Sequence, residues 1–174
     1  NDVSFTMEPE AAAVSYLHAH RESGEENVLV FDFGGGTLDL CILKKENESY
    51  KVLSVSGIAR AGDYIDKMIY IKKLFPLLGK GLHRDFDFHF SEFEENLLNW
   101  QSTYLLNQAI YIEQINNLIK FGGEAEVIGG RLKNLIRKNA SFLLIESIEQ
   151  AKIELSSLDK TDIILEEIDL KIEI

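Results

Sequence analysis

Cysteine, proline and long apolar runs are scarce in this chain, and basic residues are outnumbered. Its one cysteine, Cys41, excludes an intramolecular disulfide. Standing between Leu40 and Ile42, it reads as a small buried hydrophobe rather than a nucleophile. A reducing cytoplasm is the compartment that fits. No apolar stretch approaches the roughly 20 residues that span a bilayer, and the amino terminus has no basic segment followed by an apolar core. Neither a membrane span nor a targeting signal is expected. Lys and Arg number 18 against 29 Asp and Glu, a formal net charge of −11. Without clustered cations, an extended nucleic-acid surface is excluded. The histidines, His18, His20, His83 and His89, have no partners at metal-ligand spacing, which removes a His/Cys metal centre. What remains is ample material for a core. With 174 residues, 45% of them hydrophobic, the chain suits one domain or two closely joined lobes.

The most informative stretch runs from Phe31 to Leu40, where Gly34, Gly35 and Gly36 separate two apolar segments bracketed by carboxylates. Val28 to Phe31 reads as a buried strand and Thr37 to Lys44 as a second, so the glycines form a hairpin tip. Glycine permits positive φ and has no Cβ, so successive backbone amides can close around an anion. Thr37 and Asp39, two residues apart, face one side, and Asp32 ends the incoming strand near the same pocket. Two carboxylates beside a phosphate cradle suit a hydrated Mg²⁺ held through water, or the orientation of an attacking water. Gly-Gly-Gly also serves as a plain flexible tip with Asp turn formers.

Elsewhere the pattern predicts an α/β chain. Val3 to Met7 is strand-like, and a helix begins at Glu8 with Pro9 at its first turn and ends near Gly24. Glu8 sits at the mouth of that helix, facing the positive end of its dipole. Tyr50 to Ile58 reads as a third strand. A small-residue turn, Ala59 to Asp63, then feeds a helix from Tyr64 to Leu78, stopped by Pro76 and Gly79. Gly62 at its start is a second place for backbone amides to meet a phosphate, or an ordinary cap. Leu82 to Ser91 reads as a short strand or an ordered loop on the core. From Phe93 a long helix is expected, with Leu97, Trp100, Tyr104, Tyr111, Ile112, Ile115 and Ile119 as an apolar stripe ending at Gly122-Gly123. Gly129-Gly130 reads as a helix-joining turn, Ala140 to Leu155 as a helix, and Asp162 to Ile174 as one alternating strand. That strand stops in mid-pattern, as in a piece of something longer.

Four blocks in this order resemble the ATPase domain of DnaK-type heat-shock chaperones. They are Glu8 to Ala13, Phe31 to Asp39, Ala61 to Asp66, and Glu149 to Ser157. Phe75 to Gly81 and the helical stretch after it resemble the YegD-like branch. The resemblance implies an actin-like, ribonuclease H-like α/β lobe, the second of its ATPase domain, with residues 1–62 carrying the hairpin and 63–174 a helical and β-strand subdomain. It implies ATP or ADP with Mg²⁺ as cofactors, and peptide clients or co-chaperones as partners. Gly34, Gly35, Gly36 and Thr37 match the second phosphate loop, and Gly62 a glycine near the phosphates. Asp32, Asp39 and Glu8 match the acidic residues around Mg²⁺ and the attacking water. Glu149, Lys152 and Ser156 match adenosine contacts, and their spacing of three and four places them on one helix face. Ile153 stands where the family often has an arginine stacking on adenine, and Ala61 replaces one of a glycine pair. The first phosphate loop, the first-lobe lysine and the later adenosine loop have no counterpart here, so the fragment alone is expected to be inactive. An actin-like filament protein and a sugar kinase of the same superfamily are the alternatives.

Overall fold

The computed structural model of the protein describes residues 6–19, 27–46, 49–82, 86 and 88–174. Its elements fall into two units that meet in sequence between Tyr64 and Ile65.

The first unit holds helix α1 (Glu8–Ala19) and strands β1 (Asn27–Phe33), β2 (Leu38–Glu46) and β3 (Ser49–Ile58). The strands form an antiparallel meander in the order β1-β2-β3. Directly opposed residues share a face, so the register sorts the side chains into two sets. On one face, Ala13 of α1 packs on Cys41 and Leu43, with Val30, Tyr50 and Val52 around them. Burial, and then the Glu10 carboxylate, push the Cys41 thiol above its ordinary range. On the other face the pairs Leu29 with Ile42, Phe31 with Leu40, and Phe33 with Leu38 form an apolar surface that Ile58 extends. Leu29 and Phe31 are each 63% exposed there. Of the expected strand over Val3 to Met7, residues 3–5 lie outside the described residues and Thr6 and Met7 are in no strand; the end of the first helix near Gly24, His20 and His83 also lie outside the described residues.

Helix α2 (Gly62–Ile69) continues through a π turn (Tyr70–Leu74) and a 3-10 turn (Phe75–Leu78). Pro76 explains the change, because it has no N–H with which to extend the α pattern. Phe75 N–H instead reaches back five residues to Tyr70 O. Gly79 then ends the element at φ 109°, and a Cβ there would also press on the Phe88 ring at 2.8 Å.

The second unit is built on α3 (Phe90–Leu98), α4 (Ala109–Phe121), α5 (Gly123–Arg137), α6 (Ser141–Glu154) and a hairpin of β4 (Asp162–Leu165) and β5 (Leu170–Glu173). Its core runs from Leu74, Phe75 and Leu78 through Phe93, Leu97, Ile115 and Leu132 to Leu144, Ile163 and Ile168. Phe86, Phe88 and Phe90 pack into this core from an ordered loop and the start of α3, with no strand among the described residues.

Three expectations fail here. The long helix from Phe93 is broken at Asn99, whose backbone is extended and whose Oδ1 accepts from Gln101 N–H at 3.1 Å. Thr103 Oγ1 donates to Asn96 O at 3.0 Å, closing the last turn of α3. Trp100 and Tyr104 therefore belong to the connection and stay exposed, off the apolar stripe. Gly129-Gly130 is no turn but lies inside α5, where Gly129 lets α4 approach closely. A Cβ there would meet Ile119 Cγ1 at 2.8 Å and Ile115 O at 3.1 Å. The terminal strand is a hairpin, because a 3-10 turn (Glu166–Ile168) and Asp169 at φ 52° shift the alternation. Ile163 and Leu165 are buried before the turn, Ile168 at its end and Leu170 after it. Arg131 Nε on α5 and Lys138 Nζ at its C-cap donate to the carbonyls of Asp169 and Glu167, at 3.2 and 2.9 Å, and hold that turn. No described helix is long and apolar enough to cross a membrane.

Candidate functional site

Residues Gly34 to Thr37 join β1 to β2 and lie exposed at the end of the sheet. Gly34 N–H donates to Thr37 O at 2.9 Å, which folds the loop on itself. The start of α2 then fastens it, since Gly62 N–H donates to Gly34 O at 3.1 Å and Asp63 N–H to Gly35 O at 2.8 Å. Of the two uses open to the Gly62 N–H, a phosphate donor or an ordinary cap, the second matches its bond to the loop. The amides of Gly62 and Asp63 are engaged by the loop, and Tyr64 N–H by Ala61 O at 3.1 Å, so the first turn of α2 docks the loop instead of offering free donors.

The reason for the glycines also changes, because none of the three has a left-handed backbone. What each lacks is a Cβ. At Gly35 it would press on Asp63 Oδ1 at 3.1 Å, and at Gly34 on Thr37 O at 3.4 Å. At Gly36 nothing among the described residues lies within 4 Å, so they give no reason for glycine there. Among the described residues, no protein acceptor takes the amides of Gly35, Gly36 or Thr37. Three exposed amide donors beside an open glycine are a donor set that suits an anion.

Asp32 and Asp39 are paired across β1 and β2, so both carboxylates rise from one face of the sheet next to this loop. Facing carboxylates at such positions stand about 5 Å apart at Cβ and repel. Mg²⁺ takes one or two carboxylates, completes its shell with water and phosphate oxygens, and would relieve that repulsion. The donor set therefore fits the ion. No described cluster of three or more His, Cys, Asp or Glu side chains forms a fuller cage. Thr37 lies in the loop rather than in β2, which begins one residue later at Leu38. Glu8 is exposed at the first residue of α1, and among the described residues no hydrogen bond or ion pair joins it to Asp32, Asp39 or the loop.

In the second unit, Glu149 is exposed on α6. Lys152 is committed elsewhere. Its Nζ donates to Asp66 Oδ2 at 2.6 Å, with the two side chains 23% and 19% exposed, and so links α6 to α2. Ser156 is not on the helix with them. Helix α6 stops at Glu154, and Ser156 Oγ and Ser157 Oγ turn back onto Ile153 O and Glu154 O at 2.6 and 3.2 Å, satisfying the last carbonyls. The expectation of three residues on one helix face thus holds only for Glu149 and Lys152.

Two residues at the loop were missed from sequence. Asp63 abuts Gly35, and Gly57 on β3 lies opposite Asp39. A glycine inside a strand, which marks close approach of another group, was the available signal for the second.

Taken together, a mixed α/β fold presents a glycine-rich amide loop flanked by two facing carboxylates, a donor set that suits an anion beside a divalent cation. Residues 4–74 match the protein-family model described as Hsp70 protein. The matched segment is similar to an Hsp70-type ATPase domain and contains Glu8, Asp32, the loop, Asp39 and Gly62. Residues 75–174, with Glu149, Lys152 and Ser156, lie outside the match.

Proposed function

We propose that the chain is part of the nucleotide-binding domain of a DnaK-like chaperone, the second lobe of an actin-like ATPase, on the YegD-like branch. The full-length protein binds ATP with Mg²⁺, hydrolyses it in the cytoplasm, and uses lobe closure to regulate peptide clients or a co-chaperone. The observation that carries this reading is the unengaged amide set of Gly35, Gly36 and Thr37 beside the facing pair Asp32 and Asp39, inside the segment that matches Hsp70.

In this reading the loop amides hold phosphate oxygens, and the Thr37 hydroxyl is within the same cradle. Asp32 and Asp39 hold Mg²⁺ through water, and the ion supplies neutralisation of the phosphate charge. Asp32 or Glu8 orients the attacking water. Positioning and electrostatics supply most of the catalysis, which is why a loop fastened by α2 suits the task. The adenosine contacts that the resemblance implies for Glu149, Lys152 and Ser156 stay part of this reading, with Lys152 held by Asp66 and Ser156 in the turn beyond α6.

The test is ATP turnover by the full-length protein carrying Asp32→Ala or Thr37→Ala. Losses of about 100-fold or more are expected for removal of a positioned group. Turnover at the unaltered rate in both variants would remove these residues from the mechanism.

A further inference from the structure

Gly57 stands inside β3, where a glycine weakens the strand unless something needs the space. Its backbone is not left-handed, so any residue could adopt it. The space is taken by Asp39. The two residues are direct partners across β2 and β3, and a Cβ built on Gly57 would collide with Asp39 Oδ1. Asp39 Oδ1 therefore lies over the exposed glycine, and the half-buried aspartate stays on the face it shares with Asp32. A side chain at position 57 would force Asp39 into another staggered rotamer and carry its carboxylate away from Asp32.

We propose that Gly57 is a positioning residue, whose missing Cβ seats the Asp39 carboxylate so that it and Asp32 can face one hydrated cation. The proposal rests on the functional reading above for its consequence in turnover, but the seat itself is a property of the fold. Its effect follows from size alone. One added methyl group displaces the Asp39 carboxylate, and a misplacement of about 1 Å near the chemistry lowers rate by about 100-fold.

The experiment is a double-mutant cycle of Gly57→Ala and Asp39→Ala in the full-length protein, read by ATP turnover and by hydrogen–deuterium exchange of the β2 and β3 amides. With Asp39 present, Gly57→Ala should lower turnover by about 100-fold and leave exchange of the strand amides nearly unchanged, because the rotamer change forced on Asp39 offsets what alanine gains in a strand. In the Asp39→Ala background it should leave turnover where that background sets it and slow exchange by about 2–5-fold, because the colliding oxygen is gone and alanine suits a strand better than glycine. Equal effects of Gly57→Ala in both backgrounds, or none in either, would overturn the seat. If Asp39→Ala alone leaves turnover intact, the ATPase reading of Asp39 fails, while the exchange cycle still decides whether Gly57 holds it in place.

Discussion

The ion pair between Lys152 and Asp66 makes a quantitative test of what holds α6 to α2. Lys152→Ala strips Asp66 Oδ2 of its donor, and Asp66 Oδ1 is already buried without a partner. Breaking a fully buried pair costs about 3–5 kcal/mol. Here the side chains retain 23% and 19% exposure, so water recovers part of the loss. A destabilisation of about 2–3 kcal/mol is expected. With a urea slope near 1.5 kcal/mol per M, the unfolding midpoint of this unit should fall by about 1.3–2 M. Trp100 is the sole tryptophan and packs against Phe142 with ring centroids 5.3 Å apart, so its fluorescence reports on the unit that holds the pair. Asp66→Ala together with Lys152→Ala should cost less than the two losses added, by about 1–2 kcal/mol, because the second deletion removes a charge already stranded. Strict additivity, or a Lys152→Ala midpoint within about 0.3 M of the unaltered chain, would refute the pair as a structural tether. The result also bears on the site. Any loss of nucleotide binding in Lys152→Ala must be separated from loss of the fold, and Asp66→Ala supplies that control.

Adjacent glycines in α5 should respond with opposite signs. Gly129→Ala forces a methyl onto Ile119 Cγ1 and Ile115 O and is expected to cost about 1–3 kcal/mol. Gly130→Ala meets nothing within 4 Å and should stabilise by about 0.5–1 kcal/mol. Thermal denaturation of the two variants checks both, and shifts of the same sign would contradict the close approach of α4. The Glu154 carboxyl is held below its ordinary value of 4.5 first by the Thr161 hydroxyl and then by Gln150. A depressed value in the fold gives stability that is present above about pH 4.5 and lost as pH falls through the folded value. The advantage of the unaltered chain over Thr161→Val should therefore be constant at neutral pH and shrink in acid. A gap that persists unchanged to pH 3, roughly one and a half units lower, would count against that bond as the cause.

Strand pattern and glycine position made the hairpin legible. Val28 to Phe31 and the alternation after Thr37 placed β1 and β2 within a residue or two, because each strand must match its apolar set to a face. The facing of Asp32 and Asp39 was not legible, since it depends on how many residues the loop takes before pairing begins. The helical half read less well. Asn99 interrupts a continuous apolar period through a local side-chain bond that periodicity does not register. Gly129 looked like punctuation because its purpose is a neighbour distant in sequence. Asp66 passed unnoticed for the same reason, being 86 residues from the lysine it holds.

The glycine at position 36 has a consequence for how variants of this protein would sort. A screen that selects only for folding should accept alanine there, because the chain offers no collision and no left-handed backbone. The same screen should accept alanine at 57, because the atom in its way is the free end of the Asp39 side chain, which can move. A screen for activity should reject both. Positions 36 and 57 are thus where tolerance measured by folding and tolerance measured by work diverge, and at position 36 that divergence marks the outline of a bound molecule without any ligand being added to the assay.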